Sequence, residues 1–441
     1  MATRKLQRKP FVPVDDIVAD IEKSVAKDGR SVEEIREVRK NVIDALWQKQ
    51  FPVNRQRTIS SISPKSKRIV IFAGAGASKP LGYPLTNELL RDIWLGLNDE
   101  RQWMKWAGFK TKGRRAGARL VDELQGYLRS VLPGIGEVDP KISAASIVDI
   151  ISMLEYSITE RHCPLEPDPG NPRSVASLIR LRHLLMMALN GVLRAKKRPD
   201  LMASLASWMV RRARRSESHR VTLVSTNYDT AIESAIYSQL ADTKDERLRL
   251  ITQRVDFGIT WRDAYQSVVH SARPSAPLAV FKLHGSLNWL RCETCGHVTI
   301  NPTERIVSLD FWATQNKYNT CNCGALLKSL LVTPSIVRDI RDPSLLAVWN
   351  ASLEDLRRAD EWVIIGYSLP SEDVAIRSLL LRAFHLRENE DLKIHVVSRD
   401  LNEPQAARST EEAYRLLFPR RNFQPQNYDP KGIDHFVASL K

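Results

Sequence analysis

Three short apolar runs in this 441-residue chain each stop abruptly in a cluster of small or polar residues. They are Arg-Ile-Val-Ile-Phe-Ala-Gly-Ala-Gly-Ala-Ser (68–78), Arg-Val-Thr-Leu-Val-Ser-Thr-Asn-Tyr-Asp (220–229) and Phe-Lys-Leu-His-Gly-Ser-Leu-Asn-Trp (281–289). A strand buried on both faces reads as a continuous apolar run, and parallel sheets collect functional groups where such strands end. The three endings therefore belong at one carboxyl edge of an α/β sheet. Gly-Ala-Gly, Asn-Tyr-Asp and His-Gly brought together there describe a nucleotide site with a titratable group beside it.

The rest of the chain extends this frame. Strand candidates lie at 220–226, 278–284, 329–333, 361–366 and 392–397, each rich in Val, Ile and Leu, with connections long enough for crossover helices. Residues 86–218 contain no convincing strand. Helical periodicity runs instead through Thr86–Leu97, Ala118–Leu132, Ala144–Ile158, Val175–Leu193 and Leu201–Val210, with Pro-rich breaks near 133–140 and 164–172. This stretch reads as a helical insertion (86–218) between the first two core strands, roofing the cleft. Residues 1–64 read as a separate helical N-terminal segment, and 65–441 as the nucleotide-binding domain. The expected fold class is α/β: a Rossmann-like parallel sheet with a large helical insertion and a small zinc module at 290–326.

Composition narrows the setting. No apolar run approaches the roughly 18 residues of a membrane span, and the N-terminus lacks a signal-peptide core, so no membrane partner is expected. Four of the five cysteines cluster, as Cys-Glu-Thr-Cys-Gly and Cys-Asn-Cys-Gly. In a chain with no export signal this suggests metal ligation in a reducing compartment, and a cytoplasmic location is expected. The net charge of +15 gathers in Arg4–Lys9, Lys196–Arg198 and Arg211–Arg215. Such surfaces attract nucleic acid, an anionic ligand or an acidic protein. No aromatic residues interleave with the basic runs, so direct nucleic-acid binding is not favoured.

Each motif has its own chemistry. Gly74-Ala75-Gly76-Ala77-Ser78 follows a strand directly; its glycines allow close approach of backbone to a pyrophosphate, although a tight turn without ligand reads the same way. Thr226-Asn227-Tyr228-Asp229 offers in Asn227 a donor and an acceptor suited to a ribose hydroxyl or a water. Asp229 can join that network or cap the helix that starts near Thr230. His284, at the end of Ala279–Leu283, can act as a general base near neutral pH, with Gly285-Ser286 opening space beside it. Gly366-Tyr367-Ser368 and Val396-Val397-Ser398 end later strands at the same edge, the former placed to receive an adenosine half. Cys292, Cys295, Cys321 and Cys323 form two Gly-flanked pairs able to present four thiolates to a closed structural zinc. Cys163 reads as a buried core residue.

On these motifs the chain resembles the sirtuin superfamily. Gly74–Ser78, Asn227–Asp229, His284-Gly285, the four cysteines and Gly366–Leu369 follow one another in the order of that family's motifs. Two departures matter. Where sirtuin deacylases carry Gly-Ile-Pro and then Asp-Phe-Arg, this chain has Gly82-Tyr83-Pro84-Leu85-Thr86. Where they carry the strand that pairs with an acyl-lysine peptide, it has Leu331-Val332-Thr333-Pro334-Ser335, and a proline removes a backbone donor. A retained nucleotide site beside a lost peptide groove resembles the bacterial sirtuin-like NAD hydrolases of anti-phage defence, some of them paired with a ring-forming ATPase or a short Argonaute.

The resemblance implies NAD⁺ as substrate and zinc as structural cofactor. It implies catalytic roles for Asn227 and His284, and nucleotide contacts from Gly74, Ala75, Gly76, Ser78, Thr226, Asp229, Gly366 and Ser368. The expected reaction is hydrolysis of the nicotinamide–ribose bond, by a homo-oligomer restrained by assembly or by a partner. NAD-dependent protein deacylation and non-catalytic sensing of NAD or ADP-ribose are the alternatives.

Overall fold

The computed structural model describes residues 68–106, 114–136, 146–161, 174–193, 199–213, 219–241, 255–263, 268–302, 319–335, 340–371, 373–387, 391–398, 404–424 and 427–440. The chain divides into two units, Met1–Ile62 and Ser63–Lys441, and every described residue belongs to the second. The N-terminal segment 1–64, Cys163 and the basic run Lys196–Arg198 lie outside the described residues.

A six-stranded parallel sheet forms the centre. Its strands are β1 (Arg68–Ala73), β2 (Arg220–Ser225), β5 (Leu278–Lys282), β9 (Glu361–Ile365), β10 (Lys393–Val397) and β11 (Tyr428–Asp429). The order across the sheet is β11-β10-β9-β1-β2-β5. Renumbered by appearance, that is the doubly wound 3-2-1-4-5-6 arrangement, in which ligands bind where the winding reverses. Here the reversal falls between β1 and β9, at Gly74 and Gly366. All six residues of β2 and five of the six in β1 are buried, as two-sided burial of a parallel sheet requires.

Between β1 and β2 the described chain is helical. After the short turn α1 (Ala75–Ser78) come α2 (Leu89–Leu97), α3 (Glu100–Trp106), α4 (Arg114–Val131), α5 (Ile147–Thr159), α6 (Val175–Val192) and α7 (Pro199–Ala213). Local sequence sets their starts: Ser146 caps α5 by accepting from Val148 N–H, and Ser174 caps α6 by accepting from Ser177 N–H. Helix α6 lies at the middle, packed by α2, α3, α4 and α5. It is long and apolar enough to cross a membrane, contrary to the sequence reading that no stretch approaches that length. It nevertheless carries Arg180 and Arg182, and most of it is buried against its neighbours, which accounts for the apolar content.

A second, smaller sheet was not anticipated. It comprises β3 (Trp261–Arg262), β4 (Val269–His270), β6 (Gly285–Cys292), β7 (Val298–Ile300) and β8 (Leu327–Leu331), in the order β4-β3-β7-β6-β8. The run expected at 329–333 is β8, and it pairs antiparallel with β6 instead of joining the main sheet. An apolar run does not say which sheet it enters; the turn at Gly285 decides. Gly285 has φ 73°, and a Cβ there would lie 1.9 Å from the Leu330 carbonyl oxygen. Only glycine lets β6 leave the His284 turn against β8.

The remaining helices cover the main sheet: α8 (Ala231–Ala241) follows β2, α9 (Pro343–Arg358) precedes β9, and α10 (Val374–His385) links β9 to β10. The chain ends with α11 (Pro404–Leu417) and α12 (Ile433–Ser439).

Candidate active site

The loops after β1 and β9 are clasped backbone to backbone. Gly74 N–H donates to Ile365 O and Gly76 N–H to Gly366 O, both at 2.9 Å. A Cβ on Gly74 would meet the Gly366 oxygen at 2.6 Å, and one on Gly76 would meet the Gly366 α-carbon at 2.7 Å. The missing side chains of the Gly-Ala-Gly turn therefore make room first for the neighbouring loop. Gly366 (φ 62°) completes the clasp, and Tyr367 behind it packs on Phe72 with ring centroids 5.2 Å apart.

Asn227 stands at the end of β2, where its Nδ2 donates to Gly74 O at 2.8 Å and to Ser78 Oγ at 3.2 Å. Ser78 in turn donates to Asp229 Oδ2 at 2.8 Å and is buried. Asp229 takes both roles read from the sequence, because its other oxygen accepts from Ala231 N–H at the start of α8. Thr226 connects the edges: its N–H donates to Ala73 O at 3.1 Å, and its carbonyl lies 3.0 Å from His284 Nδ1. A carbonyl can only accept, so the neutral His284 ring carries its proton on Nδ1 and its lone pair on Nε2. His284 is only 4% exposed and lies beside Tyr228.

Gly74, Ala75, Gly76, Ser78, Thr226, Asn227, Asp229, His284 and Gly366 thus all sit where β1, β2, β5 and β9 end. Ser368 is exposed on the loop beyond Gly366. The segment that follows β8 closes against the histidine. Val332 N–H donates to His284 O at 3.0 Å, and the Val332 carbonyl accepts from the Tyr228 hydroxyl at 2.6 Å. Ser335 N–H turns back to Thr333 O, and the Thr333 hydroxyl donates to Glu155 on α5 at 3.2 Å.

Four residues to which the sequence assigned no hydrogen-bonding role join these groups. Lys282, the last residue of β5, is 1% exposed and donates to the Asp229 carbonyl. It also pairs with Glu233 of α8 at 3.2 Å, and Ser286 donates to Glu233 at 3.0 Å. Burial raises the Glu233 pKa, with the Lys282 charge opposing and the Asp229 charge reinforcing. The fourth is Tyr228, through its bond to Val332. The signal for Lys282 was available: one cation closing an otherwise apolar strand.

The four cysteines converge away from this edge. Their Sγ atoms all lie within 4.8 Å of one another, with Cys292–Cys323 and Cys295–Cys321 at 3.5 Å. Four thiolates around a tetrahedral zinc stand about 3.8 Å apart, given Zn–S bonds of about 2.3 Å, so the cluster fits a structural zinc. Gly296 and Gly324, both at positive φ, turn the two knuckles. Burial would push Cys292 up, but hydrogen bonds from Cys295 and contact with Cys323 bring it to about 7; burial pushes Cys321 up to about 12. Cys292 closes β6, whose eight residues span roughly 25 Å from the histidine turn, so the metal would take no part in the chemistry.

No protein-family model and no curated protein matches this chain. Solved structures of sirtuins are similar in the course of the chain. A Sir2 homologue in complex with NAD is 15% identical with a TM-score of 0.33, covering 85% of this chain and 90% of that one. A structure described as the structural basis for sirtuin substrate affinity is 13% identical with a TM-score of 0.32, covering 85% and 92%. A mutant Sir2 homologue in complex with ADP-ribose is 14% identical, with the same TM-score and coverage. Likeness at this level says nothing about the chemistry.

Proposed function

We propose that this protein is an NAD⁺ hydrolase that cleaves the nicotinamide–ribose bond to give nicotinamide and ADP-ribose. The observation that carries this reading is the closed state of the Val332 backbone. Its N–H is held by His284 and its carbonyl by Tyr228, and Pro334 has no N–H to offer. A peptide substrate that binds by adding a strand needs such groups free. Water is then the acceptor that remains for a nucleotide bound at the switch point of the sheet.

The chemistry follows from the geometry. The C1′–N bond breaks with its electron pair leaving on the nicotinamide nitrogen, and water adds to the oxocarbenium-like carbon while losing a proton. With Nδ2 committed to Gly74 and Ser78, Asn227 presents Oδ1 to a ribose hydroxyl or the attacking water. His284, oriented by the Thr226 carbonyl, offers Nε2 to take that proton. The N–H groups of Gly74, Gly76, Ala77 and Gly366 are bonded within the protein, so a pyrophosphate at the switch point would depend on the other amides of these two loops. The role proposed is an NAD-depleting effector in bacterial anti-phage defence, working as an oligomer and restrained by a partner such as a ring-forming ATPase or a short Argonaute.

Incubation with NAD⁺, with and without an acetylated peptide, tests the reading. Nicotinamide and ADP-ribose should form without peptide, and Asn227→Ala and His284→Ala should each lower turnover about 10²-fold or more while the protein stays folded. Release of nicotinamide only in the presence of acetyl-lysine would establish deacylation instead. Near-normal turnover in either folded variant would remove that residue from the mechanism.

A further inference from the structure

A lysine buried to 1% exposure at the end of a parallel strand requires an explanation, because that environment favours an apolar residue. The other four residues of β5 are Leu278, Ala279, Val280 and Phe281, all buried. Replacing a buried ion pair by packed apolar residues is often neutral or stabilising, so sheet stability alone does not account for Lys282. Its connections suggest what does. The ammonium group donates to the backbone carbonyl of Asp229 and pairs with Glu233, which also holds Ser286. The Asp229 side chain holds Ser78, Ser78 accepts from Asn227, and Asn227 reaches Gly74 O. One unbroken polar chain runs from the end of β5, through the turn after β2, to the turn after β1.

We propose that Lys282 is a positioning residue for the site: by bridging the Asp229 carbonyl and the Glu233 carboxylate, it fixes the 226–230 turn and so the direction of Asn227. The bonds of Asn227 itself run from its side chain to the Gly74 carbonyl and the Ser78 hydroxyl, and from its backbone N–H to Ser225 Oγ. The Tyr228 carbonyl of this turn accepts from Leu287 N–H and Ser286 Oγ, and the Asp229 carbonyl accepts from the buried ammonium group. Lys282 is two residues before His284 on the same strand end, so the anchor also ties the turn carrying Asn227 to the segment carrying the histidine. The expected effect on turnover rests on the hydrolase reading above; the expected effect on the turn does not.

The test compares wild-type protein with Lys282→Met and with the double variant Lys282→Met/Glu233→Gln, which removes both charges at nearly constant shape. The single variant leaves a buried carboxyl group unpaired and can misfold; the double variant keeps the test decisive. In the double variant the unfolding midpoint should stay near wild type, while kcat for NAD⁺ falls about tenfold or more with little change in KM. Amide exchange in the 226–231 segment should quicken by about tenfold while β1 and β2 stay protected. Wild-type exchange in that segment, or turnover that returns with stability in the double variant, would overturn the proposal. If wild-type protein neither cleaves NAD⁺ nor binds ADP-ribose, the hydrolase reading fails, and the exchange measurement alone decides the role of Lys282.

Discussion

Alanine at Gly366 should force apart the clasp between the loops after β1 and β9. Gly366 has φ 62°, and a methyl group there would lie 2.1 Å from Ala77 N and 2.3 Å from Gly76 C. Ordinary contact begins near 3.4 Å, so the loops after β1 and β9 would have to part by about 1.3 Å. Both neighbours are backbone atoms and cannot rotate away. The left-handed backbone costs a side chain about 1–2 kcal/mol, and the two clasp hydrogen bonds contribute about 1 kcal/mol each. A loss near 3–4 kcal/mol is expected, at the upper end for one substitution. A misplacement on the order of 1 Å at the site should also lower turnover about 10²-fold. Denaturant unfolding and nicotinamide release measure the two effects. Gly126→Ala is the control of opposite sign: nothing lies within 4 Å of its Cβ position on the exposed face of α4, so it should stabilise by about 0.5–1 kcal/mol. A Gly366→Ala protein within about 1 kcal/mol of wild type, with normal turnover, would refute the clasp.

Two further outcomes are expected. One zinc per chain should be found by metal analysis, and Cys292→Ser or a strong chelator should lower the melting temperature, because a closed site contributes folding energy; well-folded protein without zinc would dismiss the site. Burial lowers the pKa of His395 in β10, with Lys393 assisting and Glu361 opposing. Its unfolded form then binds more protons between the lowered value and about 6.5, so its contribution to stability is present above that window and is lost as pH falls through it. His395→Phe should flatten the dependence of the unfolding midpoint as pH falls below about 6.5, and an unchanged slope would mean that other groups set the acid limit.

Much of the main sheet was legible because two-sided burial writes itself as short runs of Val, Ile and Leu. The strands expected at 220–226, 278–284, 361–366 and 392–397 form at 220–225, 278–282, 361–365 and 393–397. The second sheet was not legible in the same way. Its strands β3 and β4 have two residues each and β7 has three, too few for periodicity to register. The membership of β8 hangs on one positive-φ glycine some forty residues earlier. Cysteine spacing announced the convergence of the four thiols, since two Gly-flanked pairs of this kind have few other uses.

The sequence by itself determined the parallel sheet, the strand ends at which polar groups gather, and the residue types able to hold a ribose and move a proton. Those are local properties, carried by runs of fewer than about ten residues. Tertiary structure alone decided how the groups are used. It showed that the glycines of the β1 turn face the Gly366 loop, that Ser78 is committed to Asp229, and that the Val332 backbone is closed. It also placed the buried Lys282 ammonium group against the Asp229 carbonyl and the Glu233 carboxylate. Each of these is a contact between segments far apart in the chain, from His284 with Val332 to Gly74 with Gly366, set by strand order and by the left-handed turns at Gly285 and Gly366. No local pattern records such pairings, because the partner becomes visible only once the sheet has brought its edges together.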